Sequence, residues 1–109
     1  MQRHGQVVNV RAGKREEYLR LHAAVWPAVE ETLTRCNVRN YSIFLLEDTL
    51  FAYYEYVGDD HDADMARIAA DPVTQEWWTH TDPCQEPWGT GPPAGKGPWR
   101  DAAEVWHLD

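Results

Sequence analysis

Cysteine is scarce in this chain, and that scarcity is the first constraint on it. Cys36 and Cys84 are the only two in 109 residues. They are too few for a disulfide scaffold, so reduced thiols and a cytoplasmic location are expected. No apolar run is long enough to cross a bilayer, and no basic-then-apolar leader is visible, so neither membrane insertion nor secretion is expected. Basic residues are also in short supply: 10 Lys and Arg face 18 Asp and Glu, for a formal charge of -8. Such a surface repels phosphate backbones and anionic lipids, which removes nucleic acid and membranes from the expected partners. Paired-histidine zinc motifs, cysteine pairs, a glycine-rich phosphate loop and a nucleophile elbow are all missing. The run Asp59-Asp60-His61-Asp62-Ala63-Asp64 lacks the glycine and closing glutamate of an EF-hand, and it reads as the solvated acidic start of a helix. No metal and no cofactor are expected.

Aromatic residues, in contrast, are plentiful. Six tryptophans and five tyrosines suggest a carbohydrate or apolar-ring site, or an aromatic dimer interface. Tyr18, His22 and Trp26 are spaced four apart, so a helix stacks them along one face. Val25, Val29, Leu33 and Cys36 continue that face. Core stripes are usually aliphatic, because burying aliphatics costs no hydrogen bonds. A phenol and an imidazole there predict a polar, aromatic-walled cavity. A satisfied core histidine is the competing reading, and the other segments decide between them. Pro27 has no N–H and disfavours helical dihedrals at Trp26, which predicts a kink, or a restart with Pro27 at the first helical position. Trp77 and Trp78 fall on a later short helix. Neighbouring helical residues point about 100 degrees apart, so one packs while the other lines a cavity, or both anchor the core.

The chain is long enough for one domain over residues 1–109. Residues 6–10 read as a strand, followed by a long helix over 14–36. Residues 41–46 and 50–57, joined by a polar turn, form an antiparallel hairpin. A helix follows over 61–70, with Met65, Ile68 and Ala69 as its core contacts. Asp71-Pro72 opens the helix carrying the tryptophan pair. Residues 83–98 form a Pro/Gly-rich loop, and residues 103–108 a closing strand. This order is the ferredoxin-like α+β plan, with helices covering one sheet face. Both faces of the hairpin are apolar, with Tyr41, Ile43 and Leu45 on one side and Phe44 and Leu46 on the other. The uncovered face predicts a homodimer, in the manner of a dimeric α+β barrel.

Tyr18 with His22, then Val25-Trp26-Pro27, Asn40-Tyr41-Ser-Ile-Phe-Leu, Trp77-Trp78 and the closing Glu104-Val-Trp-His-Leu-Asp together resemble the L-rhamnose mutarotase family. The resemblance runs in order along nearly the whole chain. It implies a dimeric ferredoxin-like fold, interconversion of the α and β anomers of L-rhamnose, and no cofactor. It further implies that His22 is the proton donor and that Tyr18, Tyr41, Trp77 and Trp78 contact the sugar. The chemistry suits these residue types. Mutarotation opens a hemiacetal and recloses it on the other carbonyl face, moving only protons. Histidine, with an ordinary pKa of about 6.5, holds or releases one near neutrality. Phenols with pKa near 10 serve better as positioners than as bases. Water, a tyrosine or Glu55 are open as the second proton carrier. Two alternatives rest on the same features: a cofactorless or haem-dependent monooxygenase of the dimeric α+β barrel type, and a non-catalytic sugar-binding module.

Overall fold

The computed structural model describes residues 1–89 and 97–109. Part of the Pro/Gly-rich loop at 83–98, residues 90–96, therefore lies outside the described residues.

The first strand, β1 (Gln2–Val10), starts four residues earlier than apolar alternation suggests. Its polar half, Gln2 to Gln6, is held by pairing with β3 (Thr49–Tyr56) along its length. The helical stretch that follows is two helices. α1 (Arg15–His22) carries Glu16 and Glu17 in its first turn and Arg20 in its last, matching the helix dipole at both ends. α2 (Pro27–Arg35) restarts with Pro27 at its first position, behind an extended Trp26 at ψ 129. That is the conformation a following proline imposes, so the chain unwinds between the two helices. An eight-residue helix is marginal alone. Burial of Tyr18 against Val8, Val10, Leu50 and Cys84 holds α1 down.

β2 (Val38–Leu46) pairs antiparallel with β3, and the register shifts by one between Arg39 and Ser42. This bulge sets the phase of Tyr41 relative to Val38. Arg39 lies opposite Glu55 and Ser42 opposite Tyr53, so one extra residue is accommodated between them. The pleat changes phase there, and Tyr41 joins Ile43 on the helix-covered face. Asn40 takes φ 50 within the bulge, a left-handed conformation its side chain tolerates.

α3 (His61–Ala70) begins at Asp60, whose carboxylate accepts from the Ala63 N–H. Asp62 is solvated, as an acidic helix start predicts, but Asp64 is not. It is buried and accepts hydrogen bonds from Tyr56 Oη at 2.5 Å, Asn37 Nδ2 at 2.9 Å and Arg67 Nη1 at 2.6 Å. These bonds hold its carboxyl below the ordinary range, the Tyr56 hydroxyl foremost. Ile68 is the buried apolar residue of this helix, with Met65 half-buried beside it. Asp71 then closes α3 and caps α4 (Pro72–Thr81). Its carboxylate accepts from the N–H and hydroxyl of Thr74 and from the Thr32 hydroxyl on α2. One side chain thus ties α2 to α4, and brings the tryptophans on either side into contact.

After a 3₁₀ turn (Asp82–Cys84) come two short strands, β4 (Gln85–Glu86) and β5 (Arg100–Ala102), both paired with β1. The order β2-β3-β1-β4, with β5 also beside β1, is the ferredoxin-like arrangement expected. The last strand lies earlier than the apolar alternation of 103–108 suggests. Beyond Ala102 the tail is held to β1 by the Arg3–Glu104 ion pair at 2.8 Å but makes no ladder, and Val105, Trp106 and Leu108 are exposed.

The helix-covered face carries two separate core clusters. One joins Val8, Val10, Tyr18, Leu50 and Cys84; the other joins Cys36, Val38, Tyr54, Tyr56 and Ile68. Between them in register lies the row Gln6–Ala52–Ile43, with a polar and a very small side chain where core would be expected. The opposite face leaves Phe44 and Leu46 exposed at 62% and 67%. Among the described residues, no helix is long and apolar enough to cross a membrane.

Candidate active site

His22 ends α1, and its ring is fixed from three sides. Nδ1 lies 3.0 Å from the carbonyl oxygen of Tyr18. A carbonyl only accepts, so Nδ1 carries the hydrogen and the neutral ring has its lone pair on Nε2. The imidazole stacks on the Tyr18 phenol, with centroids 4.1 Å apart, and meets the edge of Trp77 at 5.5 Å. Burial lowers its pKa from the ordinary 6.5, opposed by the hydrogen bond to the Tyr18 carbonyl.

Tyr18 is 2% exposed, and among the described residues its buried hydroxyl has no hydrogen-bond partner. Such orphans are rare in folded proteins, because each costs about 1–3 kcal/mol of lost solvation. Burial and the neighbouring Tyr41 phenol push the Tyr18 pKa up, so it remains a protonated donor. The Tyr41 pKa rises through burial of its hydroxyl end, although much of the residue's flank is exposed. Its ring lies 5.7 Å from that of Tyr54.

Trp26 and Trp77 meet edge to face at 5.2 Å, so the helix restart at Pro27 delivers Trp26 to the same cluster. The tryptophan pair divides as adjacent helical positions must. Trp77 is 5% exposed and packs against His22, whereas Trp78 is 37% exposed. His22 therefore contacts both Tyr18 and Trp77, the Tyr41 phenol lies near that of Tyr18, and Trp78, the next residue of the helix, is partly exposed. Glu55 stands apart. It alternates with Tyr54 onto the opposite sheet face, where it accepts from the Tyr53 hydroxyl and the Asn40 amide. It is no proton carrier for His22 within one chain.

Two further groups escaped the reading of the sequence. The Tyr54 hydroxyl lies 2.8 Å from His61 Nε2, and the His4 ring stacks over both. Burial raises the Tyr54 phenol to about 12. Its alternation with Ala52 and Tyr56 was a usable signal, but His4 lies in the polar half of β1, which has no apolar pattern. Gln85, buried on β4 beside the Tyr18 hydroxyl, carries no motif at all. Two surface hollows, of about 610 and 380 Å³, lie along α2 and over Val7 and Phe51, away from His22. The site is defined by its chemistry and not by the size of an opening. Among the described residues, no group of three or more His, Cys, Asp or Glu is placed to hold a metal ion.

An imidazole with its Nδ1 committed to a carbonyl and its Nε2 lone pair beside protonated phenols can take up and return a proton. Comparison with known proteins points the same way. The family model described as L-rhamnose mutarotase matches residues 3–108. The chain is 34% identical over 110 residues to an L-rhamnose mutarotase of Listeria monocytogenes, covering 99% of each. It is 35% identical over 111 residues to that of Lactiplantibacillus plantarum, covering 100% of each. The chain belongs to the L-rhamnose mutarotase family, isomerases that interconvert sugar anomers. The fold is also that of a crystal structure of L-rhamnose mutarotase from Formosa agariphila, with a TM-score of 0.78 at 22% identity over the whole of both chains. Tetracenomycin F2 cyclase from Streptomyces glaucescens shares it at a TM-score of 0.70 and 16% identity, again over both full chains.

Proposed function

We propose that this protein interconverts the α and β anomers of L-rhamnose, with His22 as the proton carrier. The observation that supports this most is the state of the imidazole. Its Nδ1 is committed to the Tyr18 carbonyl and, among the described residues, Nε2 has no hydrogen-bond partner and neither does the phenol under the ring. Nε2 takes the proton of the anomeric hydroxyl as the bond between the anomeric carbon and the ring oxygen breaks. The ring oxygen gains a proton from water or a neutral phenol. Rotation turns the other carbonyl face toward the ring hydroxyl, and closure reverses both transfers. The imidazolium formed in the first step is then the proton donor to the carbonyl oxygen. Tyr18 and Tyr41 position the sugar through their hydroxyls. Trp77 holds the His22 ring, and the open Trp78 indole takes the sugar's methyl face. Membership of the mutarotase family supports this reading over a monooxygenase or a non-catalytic sugar-binding module.

The direction of the His22 shift sets a pH dependence. Burial disfavours the imidazolium, so the ring is neutral at pH 7 and Nε2 accepts first. Catalysed exchange should rise with pH through one inflection below 6.5, the ordinary value, and then level off. Anomer exchange followed by NMR between pH 4.5 and 8 measures this. A rate that instead falls as pH rises through that window would require the imidazolium at the outset and reverse the assignment.

The protein is further proposed to act in the cytoplasm as a homodimer. Cys36 and Cys84 are both free thiols, which fits a reducing compartment. Phe44, Leu46 and Phe51 form an exposed apolar patch on the face without helices. Covering it with the same face of a second copy closes two sheets on each other. Sedimentation at micromolar concentration should give twice the 12.6 kDa chain mass. Phe44→Glu should shift the protein toward monomer, because it places a charge in that interface. A wild-type monomer would overturn the assembly without touching the chemistry.

A further inference from the structure

Among the described residues, the Tyr18 hydroxyl is the side-chain polar atom that the fold buries and does not satisfy, and Gln85 lies beside it. Gln85 is 6% exposed and pairs with Val10, which places it on the helix-covered face. Its side-chain amide lies close to the Tyr18 hydroxyl. The surroundings offer little else: Val8, Val10 and Leu50 are apolar, and the Cys84 thiol is directed to Glu17 and the His80 carbonyl. The backbone here is also clamped. The Arg11 N–H donates to the Cys84 carbonyl at 2.8 Å, and Arg11 Nη2 donates to the Gln85 carbonyl at 3.2 Å. A clamped Gln85 side chain beside a buried phenol that has no partner among the described residues is the preparation expected for a ligand's polar groups.

We propose that Gln85 is a specificity-determining residue, whose amide, together with the Tyr18 hydroxyl, binds ring hydroxyls of the sugar. This rests on the mutarotase reading and deepens it. The chemistry is that of a hydroxyl that both donates and accepts. An amide offers a carbonyl acceptor and an N–H donor in one plane, and the phenol offers both roles from one oxygen. Together they match two neighbouring hydroxyls. A sugar lacking one of them would leave a buried polar group unpaired, which is how a polar pocket discriminates more strongly than an apolar one. Placing the ring hydroxyls here sets the sugar against Tyr18, under the ring whose Nε2 moves the proton.

The test couples a protein change to a ligand change. Gln85→Met has similar length and no hydrogen-bonding amide. Anomer exchange is measured by saturation-transfer NMR for wild type and Q85M, on L-rhamnose and on analogues each lacking one ring hydroxyl. Wild type should lose roughly tenfold in kcat/KM on the analogue that lacks the recognised hydroxyl. Q85M should lose a similar factor on L-rhamnose, mainly through KM, and little more on that analogue. Its melting temperature should stay close to the wild-type value, because the methionine side chain fills the same space. If Q85M loses the same extra factor as wild type on every analogue, or melts lower while KM is unchanged, Gln85 is structural and the proposal fails. If Q85M does not fold, Gln85→Asn keeps the amide but withdraws its reach, and should show the same KM effect. Wild type that fails to accelerate exchange of L-rhamnose would instead overturn the mutarotase reading itself.

Discussion

His22→Ala is expected to slow catalysed anomer exchange on L-rhamnose by roughly 10²–10⁴-fold, the usual contribution of a positioned acid–base group. Uncatalysed exchange sets the floor. The ring belongs to the aromatic packing, since it stacks on Tyr18 and meets Trp77, so some loss of stability accompanies its removal. His22→Asn separates the two effects. An asparagine amide can still donate to the Tyr18 carbonyl, as Nδ1 does, but it has nothing that titrates in place of Nε2. Both variants should be slow, and the asparagine variant should retain more of the wild-type melting temperature. Saturation-transfer NMR gives the rates and calorimetry the stability. Near wild-type exchange in a folded His22→Asn protein would remove the imidazole from the mechanism.

The tryptophan pair should separate into a folding residue and a binding residue. Trp77 is buried between His22 and Trp26, so Trp77→Ala should cost about 3–5 kcal/mol of stability, as deletion of a buried indole does. Trp78 is 37% exposed. Trp78→Ala should leave stability nearly unchanged while weakening sugar binding by about 1–3 kcal/mol, the scale for losing an apolar side-chain contact. A second comparison uses the ligand. L-Mannose replaces the methyl of L-rhamnose by a hydroxymethyl, and its hydroxyl would enter the indole contact without a partner. Wild type should bind L-mannose less tightly than L-rhamnose, and Trp78→Ala should narrow that difference. Tryptophan emission and calorimetric titration report both. Equal affinity of wild type for the two sugars would mean that the methyl faces solvent and that the tryptophans are structural.

The sequence by itself determined the order of elements, because each depends on local physics. Alternating Val8 and Val10, the hairpin around residues 47–48, the Asp60 and Asp71 caps and Pro27 at a first helical position all act within a few residues of themselves. The four-residue spacing of Tyr18 and His22 likewise guaranteed their contact once α1 formed. What only the tertiary structure decided depends on contacts far apart in the chain. Asp64 reads as one more solvated acid, yet Asn37 from the end of α2 and Tyr56 from β3 surround it. The closing strand stops at Ala102 because the pairing edge, and not the apolar alternation of the tail, sets its length. Alternation alone groups Tyr41 with Ile43 and Leu45, but the bulge before Ser42, which lets Val38 share their face, exists only in the register between β2 and β3. Gln85 is the extreme case. Its neighbours in sequence are a turn and a loop, and its meaning comes from Tyr18, 67 positions away, whose buried hydroxyl has no partner among the described residues. Burial and partnership are properties of the packed chain, and residues whose roles rest on them leave no local pattern.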